Sequence, residues 1–263
     1  MKRRQLFSVA FVGTIAAIGL LNACTSSGGD SNTAAQSKTL TMATSADYPP
    51  YEFIQTSGGR EEIVGFDVDI AKAIAEELGY EVQIQNIDFN GLIPALQADR
   101  ADFVMAGMTP TEERKQNADF SIVYYEAKNT IVSRKDSGLT DAASLNGKKV
   151  GVQLGSIQEG AAKEIQGANV VQLNRINEII QELKAGRIDA AIVEDTVAKG
   201  FIDANPDLEF NVIPNEGESG SAIAFPKGSP LKAEFDPVLQ RMVDSGKITE
   251  LVNKWFGDQQ PAK

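Results

Sequence analysis

The 263-residue chain contains no histidine, one cysteine and one tryptophan. Without histidine there is no Ser-His triad, no Cys-His dyad and no histidine-bearing zinc site. The lone cysteine, Cys24, excludes an internal disulfide and any multi-thiolate metal centre. Few chemistries survive these subtractions, so neither a metal nor a cofactor is expected. Positive charge is also scarce: 25 Lys and Arg stand against 36 Asp and Glu, a formal net charge of −11. That sign argues against nucleic-acid binding and is compatible with cationic ligands. Beyond the N-terminus, no apolar run is long enough to cross a bilayer.

The N-terminus itself is informative. Lys2, Arg3 and Arg4 precede a mostly apolar stretch over residues 6–21, too short for a comfortable membrane span. Leu21-Asn22-Ala23-Cys24 follows and resembles a bacterial lipobox, with Asn22 a less usual residue within it. The resemblance implies a signal peptide over 1–23 and a diacylglycerol-modified, acylated Cys24 that tethers the chain to the cell membrane. An ordinary signal peptide followed by a free thiol is the alternative. Removing 23 residues with three basic and no acidic groups leaves 240 residues, and takes the charge from −11 to −14. Residues 24–38 are rich in Ser, Gly, Thr and Ala without periodicity and read as a flexible tether.

From residue 39 onward, strand and helix signals interleave. Strands are expected at 39–44, 81–87, 102–106, 130–133, 150–153, 170–173 and 188–193, with helices at 68–78 and 90–98. Gly79 suits the end of the first helix. Such alternation predicts an α/β protein with parallel-rich sheets. Leu96-Gln-Ala-Asp-Arg-Ala-Asp102 also resembles Leu183-Lys-Ala-Gly-Arg-Ile-Asp189, which aligns Gly107 with Glu194. Either the match is chance, or two similar lobes present equivalent strand ends to a shared cleft, where ligands of open α/β sheets bind.

Two segments read as helix starts suited to an anion. Thr109-Pro110-Thr111-Glu112 fits a capping box with proline at the first helical position, and Ser156-Ile157-Gln158-Glu159 fits another. Caps are usually structural, but Arg114 lies one turn into the first helix, where its planar fork suits a carboxylate. A surface arginine among Glu112, Glu113 and Lys115 is the other reading. Tyr48-Pro49-Pro50-Tyr51 reads as a rigid loop after the first strand. Tyr48, Tyr51, Phe53 and Phe89 are the aromatic candidates, with Phe53 better suited to the core.

Ser45-Ala-Asp-Tyr-Pro-Pro-Tyr-Glu-Phe53, Gly65-Phe-Asp-Val-Asp-Ile-Ala71, Asp88-Phe-Asn-Gly-Leu-Ile-Pro94, Met108-Thr-Pro-Thr-Glu-Glu-Arg114 and Gly155-Ser-Ile-Gln-Glu159 occur in this order. Together they resemble the family-3 extracellular solute-binding proteins of polar amino acid ABC transporters, over residues 39–256. The resemblance implies a two-lobed, periplasmic-binding-protein-like fold of type II, with lobes joined by two hinge strands. Lobe one would comprise 39–126 plus 222–257 and lobe two 127–221, with crossings near 126–129 and 219–224. Arg114 would hold the ligand carboxylate, helped by the Thr109 and Ile157 N–H groups. The ammonium would meet the Gly107 carbonyl, the Thr109 hydroxyl and Glu194, where the family usually has aspartate. Tyr48 and Phe89 would flank the ligand side chain, with Ser156 and Gln158 beside it. Ser45 stands where many members carry an aspartate that reads that side chain. Arginine-binding members are more tolerant of serine there.

The resulting expectation is a binding protein, not an enzyme, that delivers a basic amino acid to the permease subunits of an ABC importer. Arginine is placed ahead of lysine and histidine, with glutamine or cystine as alternatives. Glu52, Asp47 and Glu159 are expected to supply a negative field around the ligand. An enzyme resembling cyclohexadienyl dehydratases would need a general acid or base in the cleft, for which Glu194 is the candidate. A receptor sensor module is disfavoured, because no membrane span or signalling domain follows Trp255-Phe256. For the N-terminal anchor, Cys24→Ala is expected to move the protein out of the membrane fraction while leaving ligand affinity unchanged. Mass spectrometry that finds an unmodified Cys24 in cells able to lipidate would reject the anchor.

Overall fold

The computed structural model describes residues 38–215 and 217–257. The expected signal peptide, Cys24 and the tether as far as residue 37 lie outside them. Short apolar runs bounded by glycine become strands, and amphipathic stretches between them become helices. In chain order the first strands are β1 (Lys38–Thr44), β2 (Asp47–Tyr48), β3 (Glu52–Ser57), β4 (Arg60–Val64), β5 (Tyr80–Asn86), β6 (Phe103–Val104) and β7 (Asp119–Phe120). The remainder are β8 (Asn129–Arg134), β9 (Lys149–Gln153), β10 (Asn169–Leu173), β11 (Ala190–Glu194), β12 (Leu208–Val212) and β13 (Ala224–Phe225). The helices are α1 (Phe66–Leu78), α2 (Leu92–Gln97), α3 (Glu112–Lys115), α4 (Ile157–Glu164), α5 (Ile176–Lys184), α6 (Asp195–Ala204), α7 (Leu231–Asp244) and α8 (Lys247–Phe256).

Two five-stranded sheets result, ordered β5-β1-β6-β13-β7 and β10-β9-β11-β8-β12. In each, the first three strands are parallel and the fourth runs antiparallel to both of its neighbours. Each sheet is the centre of one lobe. On the first sheet, α1, α7 and α8 bring Phe66, Ile70, Phe235 and Phe256 to one core, while α2 brings Leu92 and Leu96 to another. On the second, α5 and α6 contribute Ile179, Leu183 and Val197 to one core, and Leu145 and Ala162 join Val150 and Ile192 in the other. The fourth strand of each sheet is reached by a crossing between lobes, over residues 121–128 and 213–223. The two crossings pair at an antiparallel bridge, where the Ser221 N–H donates to the Tyr125 carbonyl at 2.7 Å.

The internal similarity has a structural counterpart. Asp102 Oδ2 accepts the Thr41 N–H of β1 at 2.7 Å, and Asp189 Oδ2 accepts the Lys149 N–H of β9 at 2.8 Å. Asp99 (φ 52°) and Gly186 (φ 72°) take the same left-handed conformation at equivalent positions after their helices. The two lobes therefore use one helix–turn–strand unit, with Glu194 at the end of β11 and Gly107 three residues beyond the equivalent strand β6.

Three local expectations are corrected. The Thr109 capping box does not form: Thr111 is the N-cap of α3, its hydroxyl accepting the Arg114 N–H, so Pro110 precedes the helix. Thr109-Pro110-Thr111 offers two caps, and the one nearer the short helix prevails. The rigid loop at Tyr48 begins as the two-residue strand β2, which pairs with β3 and leads, through β4, into a three-stranded sheet. The 90–98 helix begins as a 3₁₀ turn over Phe89–Gly91.

Gly65 precedes α1 at φ 145°, and a Cβ there would lie 2.1 Å from the Tyr51 carbonyl oxygen. This contact seats the helix against the Tyr48–Tyr51 turn, with the Asp67 N–H donating to that same carbonyl at 3.0 Å. Gly65→Ala is expected to destabilise the protein by about 2–5 kcal/mol through strain and overpacking. Gly58→Ala, where a Cβ meets open space, is expected to cost only about 1 kcal/mol. Denaturant unfolding of the two variants checks the contrast.

Candidate functional site

The site is built from strand ends and helix starts facing one another across the cleft. From lobe one come Tyr48 on β2, Phe89 after β5, Ala106 and Gly107 after β6, then Thr109 and Arg114. From lobe two come Gln153 at the end of β9, Ser156, Ile157 and Gln158 at the start of α4, and Glu194 at the end of β11. All eleven line one cavity of about 280 Å³. A larger surface groove, about 1400 Å³, lies on lobe two along 140–146, 161–166 and 212–214 and holds none of the expected site residues.

Gly107 takes φ 56°, and a Cβ on it would sit 3.2 Å from the Tyr48 ring. The glycine therefore lets the backbone turn beneath that ring. Its N–H donates to Asp67 Oδ2 at 2.8 Å, and the Tyr124 hydroxyl donates to Asp67 Oδ1 at 2.8 Å. Asp67 is fully buried and is pushed up to about 6 by burial, with both donors pulling it back.

Arg114 reaches across the cleft. Nη1 donates to the Thr109 carbonyl at 2.8 Å and Nη2 to the Gly155 carbonyl of lobe two at 2.8 Å. Its guanidinium carbon lies 5.3 Å from the centre of the Phe89 ring, within cation–π range. Burial lowers its pKa to about 10, so it remains a cation at neutral pH. The fork has further N–H groups for an oxyanion. Across from it, the Ser156 hydroxyl caps α4 by accepting the Glu159 N–H at 3.2 Å. First-turn N–H groups such as that of Ile157 have no acceptor within their own helix and carry the positive end of its dipole.

Glu194 is buried, and its Oε2 has no hydrogen-bond partner among the described residues. Burial pushes it up to about 8; the Tyr51 and Tyr48 hydroxyls pull it down, while Asp195 and Asp67 add to the rise. This atom is the clearest unmet demand in the site. A cationic donor beside it would satisfy both its charge and its lone pairs.

Two expected site residues do not line the cavity. Ser45 is fully buried, with its hydroxyl donating to Asp47 Oδ1 at 2.8 Å. Glu52 is fully buried and neither of its carboxyl oxygens has a hydrogen-bond partner among the described residues. Burial, then repulsion from Asp67, Asp47 and Glu194, pushes Glu52 well above the usual carboxylate range. The expected negative field from Glu52, Asp47 and Glu159 is corrected accordingly. Glu52 is buried outside the cavity with its pKa raised, and Asp47 is engaged by Ser45 and the Ile176 N–H. Glu159 is occupied by Lys163, Gln172 and the Gly155 N–H. Conversely, sequence reasoning missed Gln153, whose amide donates to the Asn174 carbonyl at 3.1 Å. Its position one residue beyond an apolar strand run was the only available signal. Ala106 was missed because a methyl wall carries no chemical signature.

Comparison with known proteins matches this geometry to one family. The family model for bacterial extracellular solute-binding proteins, family 3, covers residues 40–258. The arginine-binding extracellular protein ArtP of Bacillus subtilis is 48% identical, over 97% of this chain and 98% of that protein. Among solved structures, the Streptococcus pneumoniae ABC transporter substrate-binding protein AbpA, bound to L-arginine, superposes with a TM-score of 0.78 at 38% identity. That match covers 83% of this chain and 94% of the other. An ancestral arginine-binding protein bound to glutamine gives a TM-score of 0.75 at 39% identity, covering 84% and 98%. Two lobes of matched topology, a cleft between strand ends and a family match along nearly all the described residues converge: the chain belongs to the bacterial extracellular solute-binding proteins, family 3.

Proposed function

We propose that this protein is the capture subunit of an amino acid ABC importer, without enzymatic activity, and that its ligand is arginine, ahead of lysine and histidine. The observation that carries the reading is the presence in one cavity of the Arg114 fork from lobe one and, from lobe two, Glu194, whose Oε2 has no hydrogen-bond partner among the described residues. That arrangement suits the two charges of a free amino acid. The ligand carboxylate would lie against Arg114, the Thr109 N–H and the start of α4 at Ile157. The ammonium would lie against Glu194, the Gly107 carbonyl and the Thr109 hydroxyl. Tyr48 and Phe89 supply aromatic faces for a planar guanidinium, a contact worth about 0.5–2 kcal/mol depending on desolvation. The arginine-binding relatives support the same ligand. The bound protein would be presented to permease subunits, and Cys24 would hold it at the outer face of the membrane through its lipid.

Glutamine is the second reading. Ser45 is turned to Asp47 and Glu52 does not line the cavity, so neither residue meets the far end of the ligand. A relative in complex with glutamine supports it as well. Competition among arginine, lysine, histidine, glutamine and cystine for the mature protein separates the readings. Arginine is expected to bind tightest, and glutamine or cystine binding tenfold tighter, about 1.4 kcal/mol, would reject the cationic ligand.

Glu194 adds a proton signature. With its pKa raised to about 8, the carboxyl is mostly protonated at neutral pH. A ligand ammonium favours the carboxylate, so binding below pH 8 must expel a proton. Affinity is then expected to rise with pH, by up to about tenfold per unit, and to level off above pH 8. Calorimetry at pH 7 in buffers of different ionisation enthalpy reads the released proton directly, and Glu194→Gln is expected to abolish it. Heats independent of buffer in the wild type would remove Glu194 as the ammonium partner.

A further inference from the structure

We propose that Asp47, Asp88 and Arg175 form a latch across the mouth of the cleft, setting ligand affinity without touching the ligand. None of the three lines the cavity. Asp47 and Asp88 belong to lobe one and Arg175 to lobe two, and both contacts cross the cleft from lobe-two donors to lobe-one carboxylates.

The first arm begins with a defect in α5. Its N-cap residue is Arg175, which has no side-chain acceptor for the orphan N–H groups of the first turn. The missing acceptor comes from the other lobe. Asp47 Oδ2 accepts the Ile176 N–H at 2.6 Å, placing a carboxylate at the positive end of a nine-residue helix. Asp47 is only 8% exposed, and Ser45 fixes its other oxygen at 2.8 Å. Ser45 thus acts through Asp47 as a positioning residue.

The second arm runs the same way, from a lobe-two side chain. Arg175 Nη2 donates to Asp88 Oδ1 at 2.7 Å, with side chains 31% and 38% exposed. A further contact lies near the Arg114 bridge. Gly155 of lobe two sits so close to Asn90 of lobe one that a Cβ on the glycine would lie 3.2 Å from the Asn90 Cβ. Small residues here let the lobes meet at the distance the latch requires.

Each of these contacts exists only when the lobes are together. On opening, the attraction of Asp47 to the start of α5 and of Asp88 to Arg175 is lost. The latch therefore raises the closed fraction, and apparent affinity scales with that fraction. Because the contacts form on closure, their loss is expected mainly in the rate of ligand dissociation.

The test rests on the reading of arginine as ligand and keeps the two claims separable. Mature wild type and variants are titrated with arginine by calorimetry, and dissociation is followed by stopped flow. Asp47→Ala is expected to weaken binding about 10- to 100-fold, as for loss of a charge-assisted hydrogen bond. Most of the change should lie in faster release. The melting temperature without ligand should stay close to that of the wild type, which a merely structural role would lower. Asp88→Asn and Arg175→Gln are each expected to weaken binding about threefold, as for a partly exposed pair, and the double variant no further. Should Asp47→Ala not fold, Ser45→Ala and the Asp88–Arg175 cycle carry the test. Failure of the wild type to bind arginine would reject the ligand reading. Wild-type binding with unchanged affinity and release in all the variants would overturn the latch alone.

Discussion

Asp67 is the group on which the rest of the site depends. It enters the fold in the first turn of α1, a placement that Gly65 permits by lying flat against the Tyr51 carbonyl. From there one carboxylate grips the Gly107 N–H at the floor of the cleft and the Tyr124 hydroxyl on the first lobe crossing. Burying a charge is costly unless donors surround it. Here they belong to the ligand site and to the hinge. Tyr124 and Tyr125 continue this connection into an aromatic cluster with Phe66 and Phe256, the Tyr125 and Phe256 rings stacking at 4.8 Å. Site floor, hinge and the last helix are thus parts of one packed unit.

The carboxyls around this unit divide into two kinds. Asp47, Asp88 and Glu159 are engaged by N–H groups or cations. Glu52 and Glu194 are buried with oxygens that have no hydrogen-bond partner among the described residues. The engaged carboxylates tie segments of the fold together, whereas Glu194 Oε2 faces the cavity with no hydrogen-bond partner among the described residues. The absence of histidine gives this arrangement added weight, because carboxyl groups with raised pKa values are left to respond near neutral pH.

Much of the fold was legible because strand and helix periodicities here agree with glycine and proline punctuation. The 39–44, 150–153 and 170–173 strands each lie within an observed strand, and the 68–78 helix ends at Gly79 as its left-handed cap requires. The β3–β4 hairpin was not legible: Glu52–Ser57 and Arg60–Val64 are polar and largely exposed, so no apolar alternation marks them. Of the residues lining the cavity, Arg114 was reached from a capping pattern, Tyr48 from an aromatic loop, and Glu194 from an internal similarity and a family resemblance. Ser45 and Glu52 show the limit. Their segment does reach the cleft, but which way a side chain turns depends on Asp47 and Asp67, neighbours that only the folded chain supplies.

The crossings between lobes also have a consequence for the order in which the molecule can be assembled. Sheet two is made wholly from β8 to β12, a continuous stretch of chain. Sheet one is not: β7 pairs only with β13, which is synthesised after lobe two. An N-terminal fragment ending before residue 224 therefore has an open edge at β6 and an unpaired β7. Lobe two can complete its hydrogen bonding early, while lobe one must wait for nearly the whole polypeptide.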